Sequence, residues 1–193
     1  MTPFGYNMGW LAIHNAGNTA LINALNLTEI KETSWDEGID TIYSDGKHDT
    51  VFVTPVDIDW TFVIGLWAIG TGEEDSVHNI ERLITKLSAQ FEEVQAFATY
   101  HVIEYHHWML AKQGHLVRAF AYLGERAEVL TNEGELTRAE QSFKWDHLEE
   151  CLWTPDEETV LEISGAWSIN PSDLEAIMVL SEEPGILAHV PAI

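Results

Sequence analysis

The sequence predicts an α+β fold, a mixed and largely antiparallel sheet packed against helices, with a helical acidic segment at its C-terminal end. Three observations carry this expectation. The middle of the chain alternates with a period of two and is rich in β-branched and aromatic residues. One run, from about Ser76 to Phe91, has apolar residues three to four apart. From Trp145 onward the chain carries helix-start signals and no Lys or Arg. With 193 residues, 46% of them hydrophobic and 8 of them Trp, there is enough apolar material for a real core. The expected division is a body over residues 1–144 and an acidic helical segment over 145–193 packed on it, together a single domain.

Taken in order, Gly9 to His14 reads as a short strand. Asn18 to Leu27 places Leu21, Ile22 and Leu25 at helical spacing. A strand follows near Glu29 to Trp35, then a polar passage marked by Gly38, Asp45 and Gly46. Thr50 to Thr54 and Trp60 to Leu66 are strands by composition, interrupted by Pro55 and the segment Asp57 to Asp59. The helix at 76–91 aligns Val77, Ile80, Leu83, Ile84, Leu87 and Phe91, and Glu73, Glu74 and Asp75 precede it where the helix dipole favours negative charge. Residues 93–108, 115–123 and 127–131 form three or four strands of an antiparallel meander, with turns at 112–114 and 124–125. Trp108 to Lys112 leaves a helical turn as an alternative.

In the tail, Thr137 followed by Glu140, and Thr154 followed by Pro155 and Glu157, match capping boxes. Asn170, Pro171 and Asp173 give a weaker third start, and Gly165 is a stop for the helix beginning at Thr154.

Charge narrows the function classes. The chain has 32 Asp and Glu against 9 Lys and Arg, a formal charge of −23. The 49 residues from Trp145 contain 11 acids and no Lys or Arg. Such a surface repels nucleic acid and anionic lipid and favours basic partners. Cys151 is the sole cysteine, so an intramolecular disulfide and a structural Cys-based zinc site are both excluded. Met1 to Trp10 has no signal-peptide character, and no run approaches the roughly 20 apolar residues of a membrane span. The expected location is the cytoplasm.

Catalytic constellations are sparse. The meander holds His101, Glu104, His106, His107 and His115, but strand alternation puts Glu104, His106 and Trp108 on one face and His101, Ile103, Tyr105 and His107 on the other. Glu104 with His106 could ligate a metal, without the helical spacing that would make such a motif specific. Asp57 and Asp59 could hold Mg²⁺ or serve as a polar turn. Cys151 sits beside Glu149 and Glu150, whose charge disfavours the thiolate, and reads as a small buried hydrophobe. No Gly-x-Ser-x-Gly elbow is present, and with so many acids no glycosidase-type carboxylate pair stands out. The helix, turn and helix over Val160 to Ile177 resembles a helix-turn-helix scaffold but carries no Lys or Arg for phosphates, so it reads as a packing or protein-binding element.

The aromatic residues are mostly core by their alternation. Trp145, Trp153 and Trp167 lie within the acid tail and are candidates for a partner-binding face together with Glu149, Glu150, Asp156, Glu157, Glu158 and Glu162.

Trp60 to Gly65, Phe91 to Phe97, His101 to Trp108 and Arg118 to Glu125 are similar to segments of uncharacterised bacterial protein families, over roughly residues 50–170 as judged against domain size. In size, acidity and want of a catalytic motif the chain also resembles the immunity proteins that bacteria pair with secreted toxins. That second resemblance is of type, and it transfers no residue. It implies a protein that neutralises a cognate toxin, a basic protein domain, through an acidic surface containing aromatics, with no cofactor and no membrane or nucleic-acid partner. The alternative is a small metal-dependent enzyme using Glu104 and His106 or Asp57 and Asp59. A third expectation is a sensor that stacks a small molecule among the aromatics.

Overall fold

A computed structural model describes residues 4–55, 59–70, 72–143, 145, 148, 153–173 and 184–191. Nine strands form one antiparallel sheet: β1 (Gly9–His14), β2 (Thr28–Thr33), β3 (Thr50–Val53), β4 (Trp60–Ile64), β5 (Glu93–Tyr100), β6 (Tyr105–Lys112), β7 (His115–Leu123), β8 (Glu128–Glu133) and β9 (Gly185–His189). Their order across the sheet is β2-β9-β3-β4-β1-β5-β6-β7-β8. The described α-helices are α1 (Asn18–Leu25), α2 (Trp35–Asp45), α3 (Glu74–Phe91) and α4 (Glu157–Trp167). The α+β class is therefore as expected, and every pairing among the described strands is antiparallel.

Both faces of the central strands are buried, and the two differ in side-chain size. Beneath α1 and α3 the sheet offers Val63, Val94, Ala96, Ala98, Met109, Ala111, Ala119 and Ala121. Small residues let the 18-residue α3 lie close against β5, β6 and β7. The opposite face carries Trp10, Phe52, Phe62, Phe97, Trp108 and Phe120, covered by α2 and α4. Register aligns one row across eight strands, Leu187, Phe52, Ile64, Trp10, Phe97, Trp108, Phe120 and Asn132. Within it Trp10 stacks on Phe97 at 5.3 Å and Trp108 on Phe120 at 4.5 Å between ring centroids. Such cross-strand aromatic pairs fix register, since a slip of one residue would send the row to the other face.

The polar passage expected around Gly38 is instead the helix α2. Ser34 caps it, its Oγ accepting from the Glu37 backbone N–H at 3.3 Å, and Gly46 closes it at φ 60°. Gly38 is present for space, because a Cβ there would stand 2.4 Å from the Phe52 ring. Residues 93–108 divide at a tight turn over 101–104, where Glu104 takes φ 51°. Trp108 to Lys112 is strand, completing β6.

The tail differs from expectation in four places. The cap of α4 is Asp156, not Thr154: its Oδ1 accepts from the Thr159 N–H at 2.8 Å, and Thr159 Oγ1 in turn faces the Asp156 backbone N–H. Gly165 does not stop the helix, which runs on to Trp167, with the Ser168 N–H still donating to the Ser164 carbonyl. The tail also contributes β9, which enters the sheet between β2 and β3. Thr137 and Glu140 open only a short 3-10 turn.

Candidate binding surface

The aromatic face meets the tail around a buried ion pair. Arg118 lies on β7 and Glu140 in the turn after β8, and neither has any exposure. Glu140 Oε1 accepts from Arg118 Nε and from Trp108 Nε1, each at 2.8 Å, and Oε2 accepts from the Thr137 backbone N–H at 2.9 Å and its hydroxyl at 2.8 Å. Arg118 Nη1 donates to Asn132 Oδ1 and to the carbonyls of Ala119 and Glu133. The guanidinium also lies over Phe120 and Trp145, 5.8 and 5.7 Å from the ring centres. The Thr137/Glu140 pair is thus drawn inward to serve a buried cation, and the 3-10 turn it opens ends at Ser142.

The three tail tryptophans belong to the same assembly. Trp145 donates from Nε1 to the Glu140 carbonyl at 2.9 Å and meets Phe120 edge-on at 5.0 Å. Trp153 stacks on Phe143 at 5.5 Å and meets Trp145 at 5.7 Å. Trp167 donates to Thr137 Oγ1 at 3.2 Å, lies 5.7 Å from Phe97, and its carbonyl accepts from Gln95 Nε2. All three are half-buried; Trp145 and Trp167 meet sheet aromatics directly, and Trp153 packs on Phe143 and Trp145.

Of the acids expected beside them, Asp156 is spent as the α4 cap, while Glu158 and Glu162 project from α4 and are exposed. Glu157 is half-buried, with Oε1 shielded from solvent and lacking a hydrogen-bond partner among the described residues. Glu149 and Glu150, like Cys151, lie outside the described residues. No ion pair between α4 and a Lys or Arg occurs among the described residues. Lys31, Lys112, Arg118 and Arg126 pair with Glu37, Glu93, Glu140, Glu73 and Glu128 elsewhere.

Tyr43 and His106 are two further desolvated polar groups. Tyr43, from α2, donates its hydroxyl to the Tyr6 carbonyl at 3.0 Å and accepts from the Gly5 N–H at 3.2 Å. The desolvated hydroxyl is pushed up to about 12, by burial first and by the Glu157 charge as well, although the ring stays partly open, with Tyr43 41% and Tyr6 48% exposed. His106 of β6 is 1% exposed, and its Nε2 lies 3.6 Å from the outlying carboxylate of Glu104. That separation is too long for a hydrogen bond. Burial drives the His106 pKa down, opposed by Glu104 and then by Glu157 and Asp156. Its neighbour His107 faces the opposite layer, as alternation requires, bonded through Nδ1 to the Tyr105 hydroxyl at 3.0 Å and held neutral at about 3 by burial.

The metal candidates separate. Glu104 and His106 do come together, but among the described residues no three His, Cys, Asp or Glu side chains are grouped to hold an ion. Asp59 occupies a turn at φ 61°, where its carbonyl accepts from the Asn15 N–H. Asp57 lies outside the described residues. No described helix is long and apolar enough to cross a membrane.

Set against protein-family models, curated proteins and solved structures, the chain finds no match in any of the three. Its function has to be argued from its own residues. Those that sequence reasoning passed over are Glu140, Arg118 and Tyr43. A lone Arg within the apolar run Leu-Val-Arg-Ala-Phe-Ala-Tyr-Leu was a signal for the buried pair, since such a charge needs a partner.

Proposed function

We propose that this chain is a cytoplasmic immunity-type protein that binds a basic toxin domain and blocks its working surface. The observation that carries the proposal is the outward side of α4. Glu158 and Glu162 face solvent there without a described Lys or Arg beside them, on a molecule of net charge −23. A cation from outside therefore meets uncompensated carboxylates, which raises encounter rates and selects basic partners. The aromatic part of the surface is Tyr6 and Tyr43 at the foot of α4, rather than the tail tryptophans, which already have aromatic neighbours of their own. Exposed tyrosines beside a charged rim are suited to an interface, because they bury large area at small entropic cost.

The test is capture of partners from the lysate of its own cells, followed by titration of the purified partner at low and high salt. The expected partner is basic, and its toxicity to cells is relieved by co-expression of this chain. Its affinity falls at least about tenfold from 50 to 500 mM salt, as screened charge pairs require. Glu158→Lys combined with Glu162→Lys weakens it further. A partner of neutral charge, or an affinity indifferent to salt, would refute the proposal.

A further inference from the structure

We propose that the groove between α3 and the start of β7 binds a small amphipathic anion, a carboxylate or phosphate head carried on an apolar stem. The site is independent of the acidic side of α4, which covers the opposite face of the sheet. The groove holds about 470 Å³ and is open along one side, a size ordinary for sites of small organic ligands. One wall is α3, with Arg82, Thr85, Lys86 and Ala89, and the other is Gly114 and Leu116. Ser88 ties the two walls together, its Oγ donating to the Thr85 carbonyl at 2.9 Å and accepting from the Gly114 N–H at 3.0 Å. Gly114, at φ 80°, permits that approach, since a Cβ there would stand 3.3 Å from the Ala89 Cβ. The walls are therefore in place before a ligand arrives, which lowers the entropy lost on binding.

The lining reverses the charge of the molecule. Acids outnumber bases by 32 to 9 over the chain, yet Arg82 and Lys86 line this groove with a single acid, Glu81. That acid is committed elsewhere: its Oε1 accepts from Thr131 Oγ1 at 2.9 Å and its Oε2 lies 2.8 Å from His78 Nδ1. Among the described residues Arg82 donates only to Asn79 Oδ1, and Lys86 makes no hydrogen bond or ion pair. Lys31, Lys112, Arg118 and Arg126, by contrast, each have a carboxylate. Two like charges one helical turn apart repel, and an anion between them relieves the repulsion. Acids farther off than the Debye length of about 8 Å at physiological salt are largely screened, so the two bases at the rim set the local field. An inorganic ion would meet those bases and leave the floor bare. Leu116 and Ala89, with the methylene stems of Arg82 and Lys86, offer apolar surface to a stem, which gains by leaving water. The head group then takes N–H donors from the guanidinium and the ammonium.

The experiment follows the methyl signals of Leu116 and Ala89 by NMR in the intact, isotope-labelled protein during titration with octanoate and, separately, octyl phosphate, which distinguishes the two head groups. Inorganic phosphate and octyltrimethylammonium serve as comparison probes, the first lacking the stem and the second reversing the charge. The expected result is a saturable shift with at least one of the two anionic amphiphiles, at least about tenfold tighter than with inorganic phosphate and absent with the cationic one. Arg82→Gln combined with Lys86→Gln weakens it at least about tenfold, whereas Arg82→Lys combined with Lys86→Arg keeps it within about threefold. Lys31→Gln, which removes a charge from β2 at the far edge of the sheet, changes it by less than about twofold. Equal response to inorganic phosphate would reduce the groove to a pair of solvated bases, and equal response to the cationic amphiphile would reduce it to bare apolar surface. Either result overturns the proposal, as does the absence of a saturable shift or a double glutamine variant that binds like the wild type. None of these outcomes bears on capture of a basic protein by α4, so the two readings fail separately.

Discussion

Glu140→Ala is the perturbation that bears most directly on how the tail is held. The substitution removes four hydrogen bonds, from Arg118 Nε, Trp108 Nε1, the Thr137 amide and the Thr137 hydroxyl. It leaves Arg118, with no exposure, opposite neutral acceptors only. Breaking one side of a buried ion pair costs about 3–5 kcal/mol, chiefly because the remaining charge stays desolvated. Against a total stability of about 5–15 kcal/mol, that is a large fraction. With a urea slope of about 2.5 kcal/mol per molar, the unfolding midpoint falls by about 1–2 M. Tryptophan fluorescence reads the transition directly, since Trp108 and Trp145 both contact this pair. The double change Arg118→Met with Glu140→Leu recovers most of the loss, because it removes the buried charge along with its partner. A midpoint shift below about 0.4 M for Glu140→Ala, equivalent to about 1 kcal/mol, would refute the reasoning.

Gly38→Ala destabilises by about 1–2 kcal/mol in the same assay, because the strain of a Cβ 2.4 Å from Phe52 exceeds the gain of about 1 kcal/mol from helix propensity. A stabilised variant would mean that the Phe52 ring yields freely. Trp145→Ala costs about 2–3 kcal/mol of stability before any partner is added, since the ring is half-buried on Phe120 and Arg118. Unchanged stability would return Trp145 to the list of free contact residues. His107 sets a pH dependence whose sign follows from its depressed folded pKa of about 3. Below about pH 6.5 the unfolded chain takes up a proton that the folded chain refuses, so stability is lost as pH falls from 6.5 toward 3. The stability difference between wild type and His107→Gln should therefore shrink by about 1.4 kcal/mol per pH unit between pH 6 and 4. A constant difference across that range would count against a buried neutral imidazole.

Much of the fold was legible because it depends on neighbours in sequence. Alternation along Tyr105 to Leu110 sorts His106 and Trp108 from Tyr105 and His107, and pleating alone makes the two sets face apart. The stripe from Val77 to Phe91 marks α3 in the same way. The helix α2 was hidden behind Gly38, Asp45 and Gly46, which mimic loop chemistry, although Ser34 and Glu37 had the spacing of a cap. The candidate surface was legible only in its charge. Glu158 and Glu162 stay exposed on α4 as an acidic helical face should, whereas Trp145, Trp153 and Trp167 turn toward an aromatic layer that local sequence does not reveal.

By itself the sequence determined the α+β class, the strand and helix periods, the acid excess and the absence of an intramolecular disulfide, because each follows from composition or from spacing of a few residues. Tertiary structure decided what depends on residues far apart in the chain. It placed β9 between β2 and β3, paired Arg118 with Glu140, and brought the Tyr43 hydroxyl of α2 to the Tyr6 carbonyl and the Gly5 amide. The physical reason is that periodicity assigns a side chain to a face, whereas its partner across that face is chosen by packing and desolvation in the assembled core.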